Sequence, residues 1–90
     1  MSQLSRTVLV ENKRGLHARA SAKFVTLASQ LPAEIEVAKD GQAVCGTSIM
    51  GLMMLGAAMG DSVKISASGE GAEAAVSALC DLVEAKFGED

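Results

Sequence analysis

The sequence predicts an α+β fold in which helices cover one face of a four-stranded sheet. Three observations lead there. Residues 33–39 and 62–68 alternate between apolar and polar side chains, the pattern of half-buried strands. Two longer stretches, led by Ala20-Phe24-Leu27-Ala28-Leu31 and Val76-Leu79-Cys80-Val83-Phe87, repeat apolar residues at helical spacing. Between them, Asp40-Gly41 is a strong hairpin signal, because both central residues of such a turn need positive φ. Strands with one apolar face each suit helices on one side of a sheet and solvent on the other.

Taken in order, residues 7–10 (Thr-Val-Leu-Val) are β-branched and apolar and read as a first strand. The polar turn Asn12-Lys13-Arg14-Gly15 follows, closed by glycine. A helix then runs from the neighbourhood of His17 to about Gln30, with Lys23 and Gln30 off its apolar stripe. Pro32 ends it, since proline forbids a continuing helical hydrogen bond and biases its predecessor toward extended backbone. Within residues 33–39, Ile35 and Val37 share one face while Glu34, Glu36 and Ala38 share the other. Residues 42–45 return as the partner strand. Thr47 or Ser48 can cap a short helix over residues 49–55 by accepting from an N–H inside it. Gly56, Gly60 and Asp61 mark a turn. The fourth strand, residues 62–68, points Val63, Ile65 and Ala67 inward and Ser62, Lys64 and Ser66 outward. After Gly69-Glu70-Gly71, a last helix runs from Ala72 to about Phe87, with Glu73, Asp81 and Glu84 on its solvent side.

Ninety residues with no linker or internal repeat fit one domain, 1–90, able to bury roughly 60–65% of its unfolded surface. With two phenylalanines, no tryptophan and no tyrosine, the core must be aliphatic. No aromatic platform can stack nucleobases and the net charge is −3, so nucleic acid is not an expected partner. The first residues show no signal-peptide apolar region, and the longest nearly apolar run, residues 49–59, is too short to span a bilayer, so a cytoplasmic location is expected. Cys45 and Cys80 form no C-x-x-C pair, and with a single histidine a zinc site is implausible. Two buried thiols in a reducing compartment are the economical account.

The chemistry centres on His17, in Gly15-Leu16-His17-Ala18-Arg19-Ala20-Ser21. The periodicity puts it at or just before the first turn of a helix. There the leading N–H groups lack internal partners and the macrodipole is positive. An anion carried on the imidazole would sit over those donors. Arg19 adds a planar guanidinium suited to phosphate oxygens. The same positive surroundings favour a neutral ring with a nucleophilic nitrogen. A histidine in this place also serves as a plain surface residue or cap, and the residues alone leave both readings open.

The segment Gly-Leu-His-Ala-Arg-Ala, entered from a polar turn, resembles the active-site segment of the HPr-type (HPr/NPr) phosphocarriers of the bacterial phosphoenolpyruvate-dependent phosphotransferase system. A second segment, Gly46-Thr47-Ser48-Ile49-Met50-Gly51-Leu52-Met53, resembles that family's regulatory-serine helix at the family's usual separation. The resemblance covers nearly the whole chain. It implies an open-faced β-sandwich of order βαββαβα, a four-stranded antiparallel sheet covered on one face by three helices. It also implies a stoichiometric phosphocarrier, not an enzyme, with no metal or cofactor. His17 would take a phosphoryl group at Nδ1 from phosphorylated enzyme I, with Arg19 holding it, and pass it to enzyme IIA-type acceptors. Ser48 would be a regulatory phosphorylation site for a serine kinase/phosphorylase. Partners would dock through the two helix starts, at Ala20, Ile49, Met50 and Met53, on a monomeric carrier. Many sugar-type members carry proline where this chain has Ala20, which leans the reading toward a regulatory branch over sugar transport.

Other features have plainer readings beside functional ones. Met50, Met53 and Met54 are either core or an exposed patch of the adaptable kind methionine provides. Lys13, Arg14 and Lys23 are either a basic rim to His17 or solvated charge. Glu11, Glu34, Glu36, Glu89 and Asp90 read as solubilising charge. Gly69-Glu70-Gly71 lacks the length and lysine of a P-loop. The rival functions are a non-transferring regulatory module of the same fold, and an enzyme using His17 as general base. The His17–Arg19 pair argues against the first, and the lack of a placed carboxylate pair or substrate pocket against the second.

Overall fold

The computed structural model of the chain describes residues 3–88. Strand β1 (Gln3–Leu9) leads to helix α1 (Ala18–Ser29), strands β2 (Glu34–Lys39) and β3 (Gln42–Cys45), helix α2 (Ile49–Met54), strand β4 (Ser62–Ser68) and helix α3 (Ala72–Glu84). A one-turn 3-10 segment, Lys86–Gly88, follows. The strands lie in the order β1-β4-β2-β3, and every neighbouring pair is antiparallel. This is the open-faced α+β sandwich that the resemblance implied.

The hairpin between β2 and β3 turns on Asp40 and Gly41, at φ 52° and 81°, the left-handed pair the sequence signalled. The alternation of β4 carries Val63, Ile65 and Ala67 into a core shared with Val8, Ile35, Val37, Phe24, Leu52, Leu79 and Val83. α3 packs over β1 and β4, and α1 packs against α2 and α3.

Several boundaries differ from the sequence reading, each for a local reason. β1 begins at Gln3, not Thr7, because its backbone pairs with β4 from Gln3↔Ser68 onward although its side chains are mostly exposed. Ser66 was expected to face solvent but is buried. It lies on a central strand, and Ser5 and Glu36, its direct partners, flank it on both sides. The last helix stops at Glu84. Phe87 is still fully buried, but Lys86 and Phe87 reach it by left-handed backbone at φ 59° and 57°. That conformation costs roughly 1–2 kcal/mol per residue, whereas truncating a buried phenylalanine costs about 3–5 kcal/mol. Packing therefore wins, and Lys23 Nζ closes the hook with a 2.7 Å bond to the Phe87 carbonyl. Lys23 is thus committed to the chain's end instead of a rim around His17. Glu89 and Asp90 lie outside the described residues.

The two thiols part company. Cys80 is buried as expected, and burial pushes its pKa up, with Arg6 nearby acting the other way. Cys45 was expected inside but is exposed. It is the last residue of the edge strand β3 and pairs with Glu36, so it shares the uncovered face of the sheet. Its Sγ lies 3.1 Å from Thr47 Oγ1, and that hydrogen bond holds the thiol pKa below its ordinary value.

Candidate functional site

His17 is the N-cap of α1, with extended backbone at φ −76° and ψ −177°. Its Nδ1 accepts from the Arg19 N–H at 3.3 Å. The first helical turn begins with Ser21 N–H bonding the His17 carbonyl at 2.9 Å. The amides of residues 18–20 therefore precede the first i→i−4 bond, where a helix presents its donors and positive end. The imidazole is half-buried and Arg19 is exposed beside it.

The turn before His17 is held from inside. Asn12, almost fully buried, donates through Nδ2 to the Gly15 carbonyl at 2.8 Å, and the Gly15 N–H reaches the Asn12 carbonyl at 3.2 Å. Leu16 is fixed at both backbone groups. Its N–H donates to the Ala57 carbonyl at 3.0 Å, and its carbonyl accepts from buried Ser21 Oγ at 3.2 Å. Asn12 and Ser21 were not singled out from sequence. The readable signal was an asparagine three residues before a glycine, a common side-chain-closed turn. The contact with Ala57 is non-local and had none.

Ser48, not Thr47, caps α2: its Oγ accepts from the Gly51 N–H at 3.0 Å. On that helix Leu52 is fully buried, while Ile49, Met50 and Met53 are exposed, Met50 to 72%. Met54 and Met59 are exposed as well. Ala20 is a correction. It was expected to touch partners, but its exposure is 0%, because it faces the core on the stripe shared with Phe24 and Ala28. Lys13 and Arg14 are exposed on the turn before His17. No helix among the described residues is long and apolar enough to cross a membrane.

Residues 4–85 match the family PTS-HPr, described as "PTS HPr component phosphorylation site". The chain belongs to the HPr family. It is 43% identical to the phosphocarrier protein NPr of Shewanella violacea over 99% of its own length and 98% of the relative's. It is 46% identical to the phosphocarrier protein HPr of Neisseria meningitidis serogroup A, over 96% of this chain and 97% of that one. The crystal structure of HPr-C-His from Thermoanaerobacter tengcongensis superposes with a TM-score of 0.90 at 48% identity, covering 100% of this chain and 99% of that one. HPr-family proteins are phosphocarriers of the phosphotransferase system and not catalysts in their own right. In this member the His17 cap and the Ser48 cap open two helices that pack against each other.

Proposed function

We propose that this HPr-family chain is a phosphocarrier whose carrier atom is Nδ1 of His17. The observation that carries the reading is the aim of that nitrogen at the Arg19 amide, on the positive end of α1. As the donor's bond to phosphorus breaks, a bond to Nδ1 forms, and the ring's pairing with the Arg19 N–H is given up. The freed N–H and the Arg19 guanidinium then meet the phosphoryl oxygens, in the manner of charge-assisted bonds to phosphate. Transfer onward reverses the step, so the hold has to be moderate. The chain needs no metal or cofactor for this.

The donor is phosphorylated enzyme I and the acceptors are enzyme IIA-type proteins. Both dock on the exposed side of α1 and on Ile49, Met50 and Met53. Ser48 is a regulatory phosphorylation site for a serine kinase/phosphorylase. The carrier acts in the cytoplasm as one domain spanning residues 1–90. A monomer is its working state, although an HPr of Thermoanaerobacter tengcongensis has been crystallised as a dimer; gel filtration across concentrations tests this. Ala20 in place of proline favours a regulatory branch, which transfer rates to each class of acceptor would decide. Incubation with phosphoenolpyruvate and enzyme I should yield acid-labile, base-stable phosphate on the chain. Absence of such phosphate would leave the non-transferring module as the better reading.

A further inference from the structure

We propose that Gly15 is a positioning residue for His17, and that the Ala57 carbonyl is the fixed point it positions against. The inference rests on reading His17 as the phosphoryl carrier. Leu16, the residue before the histidine, hangs by its N–H from Ala57, two residues beyond the Leu55 C-cap of α2. The patch offered to partners and the histidine are therefore joined through one backbone hydrogen bond. That bond forms only because Gly15 has no side chain. A Cβ there would overlap the Ala57 carbonyl oxygen and lie 2.8 Å from the Ala58 Cα, both backbone atoms that cannot rotate away. The φ of +63° at Gly15 adds strain for any other residue.

One side must give way if Gly15 is enlarged, and the structure identifies which. The loop beyond Ala57 is anchored three ways. Gly60 N–H bonds the Val10 carbonyl at 2.8 Å, Val10 N–H bonds the Asp61 carbonyl at 2.8 Å, and Asp61 Oδ2 accepts from the Ala58 N–H at 2.9 Å. The turn before His17 has its own bonds, from Asn12 to Gly15 and from Ser21 to Leu16, but these lie within residues 12–21 and move with it. Its Lys13 and Arg14 are exposed, whereas the loop is tied to Val10, which directly follows β1. The displacement therefore falls on the His17 side. A shift on the order of 1 Å in a reacting group costs on the order of a hundredfold in rate, while the docking patch on α2 stays where it was.

Two full-length variants test this. Gly15→Ala displaces the turn. A chain made by ligation with the Leu16 amide replaced by an ester removes the N–H donor and keeps every side chain. Enzyme I-dependent phosphorylation is followed at a temperature where circular dichroism shows both folded. The maximal rate should fall ten- to a hundredfold, with KM for enzyme I nearly unchanged, and the His17 ring resonances should shift in both. A folded variant of either kind with wild-type maximal rate and wild-type ring resonances would overturn the proposal. So would a loss confined to KM. The ring readout needs no phosphoryl transfer. It decides the positioning claim even where wild-type protein takes no phosphate, an outcome that would sink only the carrier reading.

Discussion

Nδ1 of His17 and the backbone N–H of Arg19 are partners, 3.3 Å apart, across the first turn of α1. The same ring nitrogen that caps the helix is the one the carrier reading loads. Loading exchanges one acceptor of the helix donors for another, so the helix start stays satisfied in both states. On this account phosphorylation leaves the melting temperature close to that of the free protein. A fall of more than a few degrees would mean that the phosphoryl group does not take over the cap.

Arg19 supplies charge toward the moving group and is exposed, so it contributes little to packing. Arg19→Ala should lower the maximal transfer rate by roughly tenfold or more, a smaller loss than removal of a buried donor to developing charge causes, because the guanidinium is exposed to solvent. Titration of enzyme I binding should change much less. Equal losses in binding and rate would make Arg19 an ordinary contact residue.

The short helix α2 separates docking from stability residue by residue. Met50→Asp and Met53→Asp place charge on exposed positions and should weaken partner binding with a near-normal melting temperature. Leu52→Ala, at a fully buried position, should cost about 2–5 kcal/mol of stability. Thermal melts and binding isotherms on the same three proteins check the split. A destabilised Met50→Asp would show that side chain to be structural.

Ser48 has a dual position, as cap of α2 and neighbour of the exposed Ile49 and Met50. Ser48→Ala should lose about 1 kcal/mol, the usual value of such a cap. Ser48→Asp keeps an acceptor for the Gly51 N–H and adds negative charge at a helix start, so stability should hold. Partner docking should nonetheless weaken, since a partner covering the patch must desolvate that charge. Transfer kinetics over a range of enzyme I concentrations would show a raised KM. Wild-type kinetics in Ser48→Asp would remove the electrostatic basis for a switch.

The cysteines give a check independent of phosphate. Cys45 is exposed with its thiolate favoured by Thr47, while Cys80 is buried with its thiol pushed up. Iodoacetamide at pH 8 should modify Cys45 in the native protein and Cys80 only on unfolding. Thr47→Val should slow the Cys45 reaction, because the thiolate population falls as its pKa returns upward. Peptide mapping after timed quenching decides it, and equal labelling of both thiols would contradict the burial described.

The residues that were misread are those whose surroundings come from distant parts of the chain. The helix, the hairpin and the alternation of β4 were legible because each is encoded by spacing within a few residues. Ala20 shows the limit from the other side. Its helical spacing with Phe24 already put it on the apolar stripe, and only the resemblance suggested a partner contact. Four residues of β3 are too few to fix which face Cys45 takes, and that was settled by pairing with Glu36. The hook that returns Phe87 to the core depends on left-handed backbone at Lys86, which no local pattern announces. At the site, His17 and Ser48 could be read as helix starts, whereas the grip of Ala57 on Leu16 joins residues 41 apart in sequence.

The most direct test of the carrier reading is intact-mass analysis of wild type and His17→Ala after incubation with phosphoenolpyruvate and enzyme I. Fragmentation under neutral conditions then locates any modification. The account predicts a gain of one phosphoryl group on wild type, mapped to His17 and lost in acid, with no gain on a folded His17→Ala protein. Acid-labile phosphate on His17→Ala, or none on wild type, would contradict it.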